Sequence, residues 1–230
     1  MLSKTNGWKA RKTPPLKPNE PDIRLLIKVS DEKFQENMKE NDIVILPEFF
    51  KDQPGEDTIY EKLIKEVNNC AIEEDGELFE SHHQNSHVKI PSSKSYLLEN
   101  KCPTLDMITI KMKEFFNMEV KKRRFNLYRD NTDWKPYHHD RSAQSKEFSD
   151  FQNFTVSVTF GHTRTVSFKN AKNGTRLDLP LTNGSVYTFA NQINIDWQHG
   201  VIKEDDIKKE GRISIVLWSK NNQISVLQEE

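Results

Sequence analysis

The sequence is poor in cysteine, has no long apolar run and carries almost no net charge. Cys70 and Cys102 are the two cysteines in 230 residues, too few for a disulfide framework. Reduced thiols in an intracellular compartment, nuclear or cytoplasmic, are therefore expected. No apolar stretch approaches the ~20 residues that span a bilayer, and the first residues lack the apolar core of a secretory signal. No membrane partner is expected. Lysine and arginine (34) nearly balance aspartate and glutamate (35), so no global field calls for a polyanionic partner. No internal repeat is evident.

What is present is unevenly spread. Residues 1–24 place Lys4, Lys9, Arg11, Lys12, Lys17 and Arg24 among Pro14, Pro15, Pro18 and Pro21, the composition of a basic, extended or disordered leader. Residues 56–80 are acidic, with Glu73, Glu74, Asp75 and Glu77 nearly contiguous. The remainder suits one globular domain, a helix and strand region over 25–122 followed by a β-rich core over 123–230. Residues 42–47 read as a buried strand ended by Pro47. Ile59, Leu63 and Ile64 predict a helix over 58–67 capped by Asp57. Leu105, Ile108, Ile110, Met112, Phe115 and Phe116 predict a second helix over 103–118. Between them, 81–101 is polar and long for a passive loop, a candidate substrate flap.

Short strands are predicted at 123–128, 134–139, 154–160, 165–169, 176–179, 185–189, 197–201 and 212–218, with turns at Asn173-Gly174 and Asn183-Gly184. The expected fold class is α+β, a double-stranded β-helix (jelly-roll) core with the N-terminal helices packed on one sheet.

The chemistry concentrates in the second half. In Tyr137-His138-His139-Asp140, strand alternation sends His138 and Asp140 to one face and His139 to the other. His199, in Trp197-Gln198-His199-Gly200, can complete a facial triad that suits non-haem iron and leaves positions open for cosubstrate and oxygen. On strand 212–218, Ile213, Ile215 and Leu217 share one face; Arg212, Ser214, Val216 and Trp218 share the other. An inward-facing arginine needs a partner, and a dicarboxylate supplies one in bidentate geometry. The competing reading puts Arg212 at an exposed strand mouth, paired with Asp206. Asn126 and Tyr128, two apart, turn an amide and a phenol the same way. That pair also reads as ordinary strand polarity with a core tyrosine. His82, His83 and His87 are expected to be solvated, and His162 to be a turn residue.

Taken in order, Asn126-x-Tyr128, His138-x-Asp140, His199-Gly200-Val201 and Arg212-Ile213-Ser214 resemble the AlkB-like 2-oxoglutarate- and iron(II)-dependent dioxygenases over roughly residues 123–218. The resemblance implies that His138, Asp140 and His199 hold iron(II) and carry catalysis. It implies that Arg212 and Tyr128 bind the distal carboxylate of 2-oxoglutarate and Asn126 its other end, with Ser214 in the cosubstrate-binding set and O2 as co-reactant. Two departures stand out. Trp218 occupies the place where the family commonly has a second arginine, and Ser142 the place where repair members carry an acid.

The implied activity is oxidative demethylation of N-methylated bases in DNA or RNA, single strands preferred because a base must leave its stack to react. The basic leader and the Lys121–Arg124 run are the expected phosphate contacts, the run reading equally as a solvated helix-to-strand loop, and Tyr96, Trp134, Tyr137 and Ser142 are the candidate substrate-binding residues. A protein side-chain hydroxylase or demethylase of the same family is the first alternative. A non-catalytic binding module with the same fold is the second.

Overall fold

A computed structural model of the chain describes residues 23–27, 38–73, 78–82, 86–204 and 210–224. Most of the basic leader, His83, Asp206 and the acidic residues 74–77 lie outside them. Arg24, assigned to the leader by composition, opens strand β1 (Arg24–Ile27) and holds Asp42 with its guanidinium at 2.5 Å.

β1 pairs in parallel with β2 (Asp42–Leu46). Helix α1 (Ile59–Glu73) runs further than its apolar spacing suggested. Its cap is Thr58 rather than Asp57: Glu61 N–H donates to Thr58 Oγ1 at 3.2 Å, and Thr58 N–H donates to the Glu61 carboxylate at 2.8 Å. This reciprocal capping box satisfies two helix-end donors at once. Helix α2 (Pro103–Phe115) is three residues shorter than predicted, because Asn117 turns into the left-handed region at φ 43°. Ile110, expected in its apolar face, is exposed.

Part of the candidate flap joins the sheet. The flap contains most of β3 (Glu80–His82), all of β4 (His87–Ile90) and a 3-10 turn at Ser95–Leu98. β4 pairs with β5 (Glu119–Tyr128), so the segment is a sheet edge with buried Ile90 and Leu98.

The β-rich half continues with β6 (Lys135–His138), helix α3 (Lys146–Phe151), β7 (Phe154–Gly161), β8 (Arg164–Asn170), β9 (Arg176–Leu181) and β10 (Val186–Ala190). Helix α4 (Asn191–Asp196), β11 (Trp197–Val201) and β12 (Arg212–Lys220) complete it. Two sheets form, ordered β1-β2-β10-β7-β12-β5-β4-β3 and β6-β11-β8-β9.

Alternation divides the long sheet between two cores. Ile213, Ile215, Leu217, Val156, Val158 and Phe125 face outward onto α1 and α2 through Leu63, Val67, Leu105, Ile108 and Met112. Tyr128, Tyr187, Phe189, Ile43 and Ile45 face inward onto Val166, Phe168, Leu179 and Trp197 of the short sheet. Burying large side chains on both faces, at ~1.5–3 kcal/mol each, locks the register of β12. A slip of one residue would exchange Arg212 and Ser214 for Ile213. The result is a jelly-roll core, and the candidate site lies inside it.

Candidate active site

β6 and β11 are neighbours in the short sheet, with His138 directly opposite His199. Gly200 permits this: a Cβ there would sit 2.6 Å from the Lys135 carbonyl oxygen, closer than packed atoms come. Asp140 follows two residues after His138, and the three side chains each offer one donor atom within 4.8 Å of the others. The Asp140 carboxylate is 3.8 Å from His138 Nε2 and 3.9 Å from His199 Nε2. These distances are too long for hydrogen bonds and leave a gap between converging donors.

The surroundings hold each donor in place. His138 Nδ1 donates to the Pro136 carbonyl at 3.0 Å, which leaves Nε2 as a lone-pair donor, buried and without a partner. The His199 ring packs against Phe189 (4.9 Å between centroids) and Phe168 (5.9 Å). Asp140 accepts from Thr155 Oγ1 at 3.3 Å. Its backbone is gripped by Asn194, which accepts from Asp140 N–H at 2.7 Å and donates to Asp140 carbonyl at 3.1 Å. Burial pushes His199 down to about 4 against the pull of Asp140, and His138 falls well below the usual imidazole range for the same reason, with Lys135 and His199 adding to the effect. Both rings are thus neutral near pH 7, the protonation state a metal ligand needs. His139 points elsewhere, its Nδ1 donating to the Asn194 carbonyl at 2.6 Å.

Arg212 lies in the same interior, 1% exposed, and none of its three guanidinium nitrogens has a hydrogen-bond partner. Arg164, equally buried, shows what a structural arginine looks like here. It donates to the carbonyls of Asp130, Asn131, Asp133 and Ile202 and faces Glu204 at 3.2 Å. Arg212 has instead the Tyr128 ring, 5.1 Å from its guanidinium carbon, and Tyr128 in turn stacks on His87 at 4.8 Å. The exposed-mouth reading of Arg212 is therefore wrong for burial. His87 was also misread as solvated: it is fully buried, and desolvation lowers it to about 4.

A cavity of about 20 Å³ joins the two ends, bordered by Asp140, His199, Arg212, Tyr128, Asn126, Ser214 and also Lys135, Thr155 and Tyr187. That is room for about one water, so a larger ligand must push the lining side chains apart. Asn126 donates its amide to the Ser214 carbonyl at 3.2 Å and keeps a buried, unpaired Oδ1, while the Ser214 hydroxyl meets Ser157 Oγ at 2.9 Å.

Lys135 is the residue that sequence reasoning missed. Its side chain is 8% exposed, borders the cavity, and makes no hydrogen bond or ion pair among the described residues. Burial lowers it to about 8. Alternation from His138 would send it to the opposite face, but an irregularity in the β6–β11 pairing between His199 and Val201 turns it inward. Asn194 has no sequence signal at all, whereas Tyr187 is legible as the inward position of β10.

The candidate substrate residues are not brought together. Tyr96, 64% exposed, lines a separate groove of about 370 Å³ with Ser95, Asp106 and Arg123. Tyr137 turns away from His138 and hydrogen-bonds Ser167 Oγ at 2.7 Å. It borders, with Trp134, a groove of about 320 Å³ that meets the cavity only through Lys135, Gly200 and Val201. Ser142 is buried and accepts from Asn194 at 2.9 Å. The basic run divides as well. Lys121 pairs with Glu119 at 2.5 Å, Arg123 with Asp106 at 2.9 Å, and Arg124 lies over the Trp218 ring at 4.7 Å.

No protein-family model and no curated protein matches the sequence. Among solved structures, the chain is similar to a prolyl hydroxylase from Trichoplax adhaerens in complex with a hypoxia inducible factor oxygen degradation domain peptide fragment. The TM-score is 0.56 at 12% identity, with 86% of this chain and 94% of that one covered. The likeness is one of fold.

Proposed function

We propose that this protein is an iron(II)- and 2-oxoglutarate-dependent oxygenase. One observation carries the reading: two imidazoles, one with an unpartnered buried Nε2, converge with a carboxylate at one end of a buried cavity whose other wall holds an unpartnered arginine. Buried polar atoms without partners are costly, and a metal together with a dicarboxylate would satisfy both sets. The jelly-roll likeness to a prolyl hydroxylase supports the reading.

His138, Asp140 and His199 would hold iron(II) on one side, leaving its remaining positions open. Arg212, with its planar fork, and the Tyr128 phenol would take the distal carboxylate of 2-oxoglutarate. Lys135 adds a second cation to the same pocket, and Ser214 and Asn126 form its wall. Val166, Val201 and Val216 line it with apolar surface and limit water. When bound, iron(II) and 2-oxoglutarate would supply the oxidising power, the keto acid going to succinate and CO2 with one oxygen atom of O2 while the other hydroxylates a substrate C–H bond.

For the substrate, a protein side chain is favoured over an N-methylated base. The Lys121–Arg124 run is partly neutralised by Glu119 and Asp106, and Tyr96 lies away from the cavity. Base demethylation keeps the sequence resemblance as its support. The test is succinate formation by the purified, iron-loaded protein against peptides and modified oligonucleotides. Succinate formation that His138→Ala, Asp140→Ala and His199→Ala each abolish is the expected result. Turnover of oligonucleotides alone would reverse the substrate assignment, and no 2-oxoglutarate binding or turnover would favour a non-catalytic module.

A further inference from the structure

The interior between the two sheets carries more positive charge than a metal and its cosubstrate use. Arg212, Lys135 and Arg124 stand there against the single carboxylate of Asp140, an excess of two. A divalent metal and a doubly charged dicarboxylate cancel each other, so the excess survives loading. The nearby acids are engaged elsewhere: Glu80 faces Lys94 at 3.4 Å, Asp133 holds Arg129 at 2.7 Å, and Glu204 faces Arg164 at 3.2 Å. Lys89, opposite Asn126, adds a fourth cation, its ammonium 3.4 Å from His82 Nδ1.

Arg124 has a particular place in this set. It shares a strand face with Asn126 and Tyr128 and sits opposite Val216, next to the cavity wall. Its guanidinium lies 4.7 Å from the Trp218 ring centroid, its Nε is buried without a partner, and no acid pairs with it among the described residues. Asp140 is the nearest strong negative influence on it. Val216 is four residues along β12 from Arg212, ~13 Å at ~3.3 Å per residue. The terminal carbons of a five-carbon dicarboxylate are only about 5 Å apart. A cosubstrate anchored on Arg212 is therefore shorter than the spacing between the two strand positions. Thr155, which contacts Asp140, lies opposite the Trp218 on which Arg124 rests.

We propose that Arg124 is a substrate-recognition residue and that the substrate carries a carboxylate which it receives. The proposal rests on the oxygenase reading and supplies the substrate's chemistry. A planar guanidinium held over an indole keeps its parallel donors in one plane, the match for a carboxylate. A cationic N-methylated group would meet repulsion from Arg124, Lys135 and Lys89, so methyl-cation substrates are disfavoured at this site.

The experiment uses the full chain loaded with Mn(II), followed calorimetrically. Binding of 2-oxoglutarate is measured first; its failure would sink the oxygenase reading itself. The loaded complex is then titrated with blocked Ala-Asp-Ala, Ala-Asn-Ala and Ala-phosphoSer-Ala peptides and with free butyrate. Binding of the aspartyl peptide or butyrate, weakened about ten- to a hundredfold by Arg124→Gln and partly restored by Arg124→Lys, with 2-oxoglutarate affinity unchanged, is the expected result. The aspartyl and butyrate arms distinguish a peptide source from a small free acid. Equal binding of the Asn peptide, binding indifferent to Arg124→Gln, or no carboxylate binding at millimolar concentration overturns the proposal. A phosphopeptide that binds through Arg124 while the carboxylates do not assigns the residue to phosphate and overturns it too.

Discussion

Replacing Arg212 with methionine should make the ligand-free protein more stable while removing its response to 2-oxoglutarate. Arginine cannot shed its proton inside a protein, so Arg212 remains a charge with no hydrogen-bond partner at 1% exposure. Exchanging buried charges for apolar groups of similar volume is commonly neutral or stabilising by ~1–4 kcal/mol. The variant forfeits the contact with the Tyr128 ring at 5.1 Å, worth ~0.5–2 kcal/mol. The net expectation is a gain of about 1–2 kcal/mol, or ~2–8 °C in Tm for a chain of this length. In the native protein, 2-oxoglutarate at a hundred times its Kd should add ~2.7 kcal/mol through binding to the folded state alone. The variant should add almost nothing. Thermal unfolding of Mn(II)-loaded and metal-free protein, each with and without 2-oxoglutarate, measures both quantities. A variant that melts lower than native in the free state and still gains stability from 2-oxoglutarate would refute the reasoning, because Arg212 would then be a satisfied structural residue like Arg164.

Three further outcomes follow from the same geometry. His87 and His199 are lowered to about 4 and His138 is lowered as well. The unfolded chain therefore binds protons first, and metal-free stability, full above ~6.5, should fall toward pH 4 by up to ~1.4 kcal/mol per pH unit for each imidazole. Urea unfolding at pH 7, 6 and 5 reads the slope, and His87→Phe, which keeps a ring against Tyr128, should flatten it; an unchanged slope would acquit His87. Asn194→Ala strips the buried Asp140 N–H of its acceptor, which should cost ~1–3 kcal/mol and weaken metal binding ~10–100-fold. Lost stability with intact metal affinity would limit Asn194 to the fold. Gly200→Ala puts a Cβ 2.6 Å from the Lys135 carbonyl, which should part β6 from β11, cost ~1–3 kcal/mol as overpacking does, and abolish metal binding measured by Mn(II) titration. Native-like metal affinity would show that the strands have slack.

How much of this was legible beforehand depended on whether regular geometry held. Period-two alternation was enough to put His138 with Asp140, to separate Arg212 and Ser214 from Ile213 and Ile215, and to turn His139 away, because Asp140 keeps an extended backbone just beyond the end of β6 and β12 is regular at those positions. It also contained the inward turn of Arg124, two residues before Asn126 on one strand. Clustering by sequence hid this: Lys121, Lys122, Arg123 and Arg124 look like one basic patch, but a strand sends neighbours to opposite faces, and Glu119 of the same strand and Asp106 of α2 then claim two of them. Lys135 was illegible because its direction depends on a register irregularity, and His87 because a polar loop composition gave no hint that β4 joins the sheet edge.

The deepest limit is shown by the two buried arginines. Arg164 and Arg212 each open a strand, each precedes alternating apolar residues, and each ends almost wholly excluded from water. Nothing local in the sequence separates them. The difference lies in what the rest of the chain brings to them. The turn at Asp130–Asp133 and the end of β11 deliver four carbonyls and Glu204 to Arg164. Arg212 receives a ring face and the open side of a cavity. A fold that solves most of the burial problem for one guanidinium and leaves the other unsolved, in line with three converging metal-type donors, concentrates its unsatisfied capacity in one place. That concentration of unmet hydrogen-bonding and charge, more than any single residue, is the physical basis for assigning the ligand there.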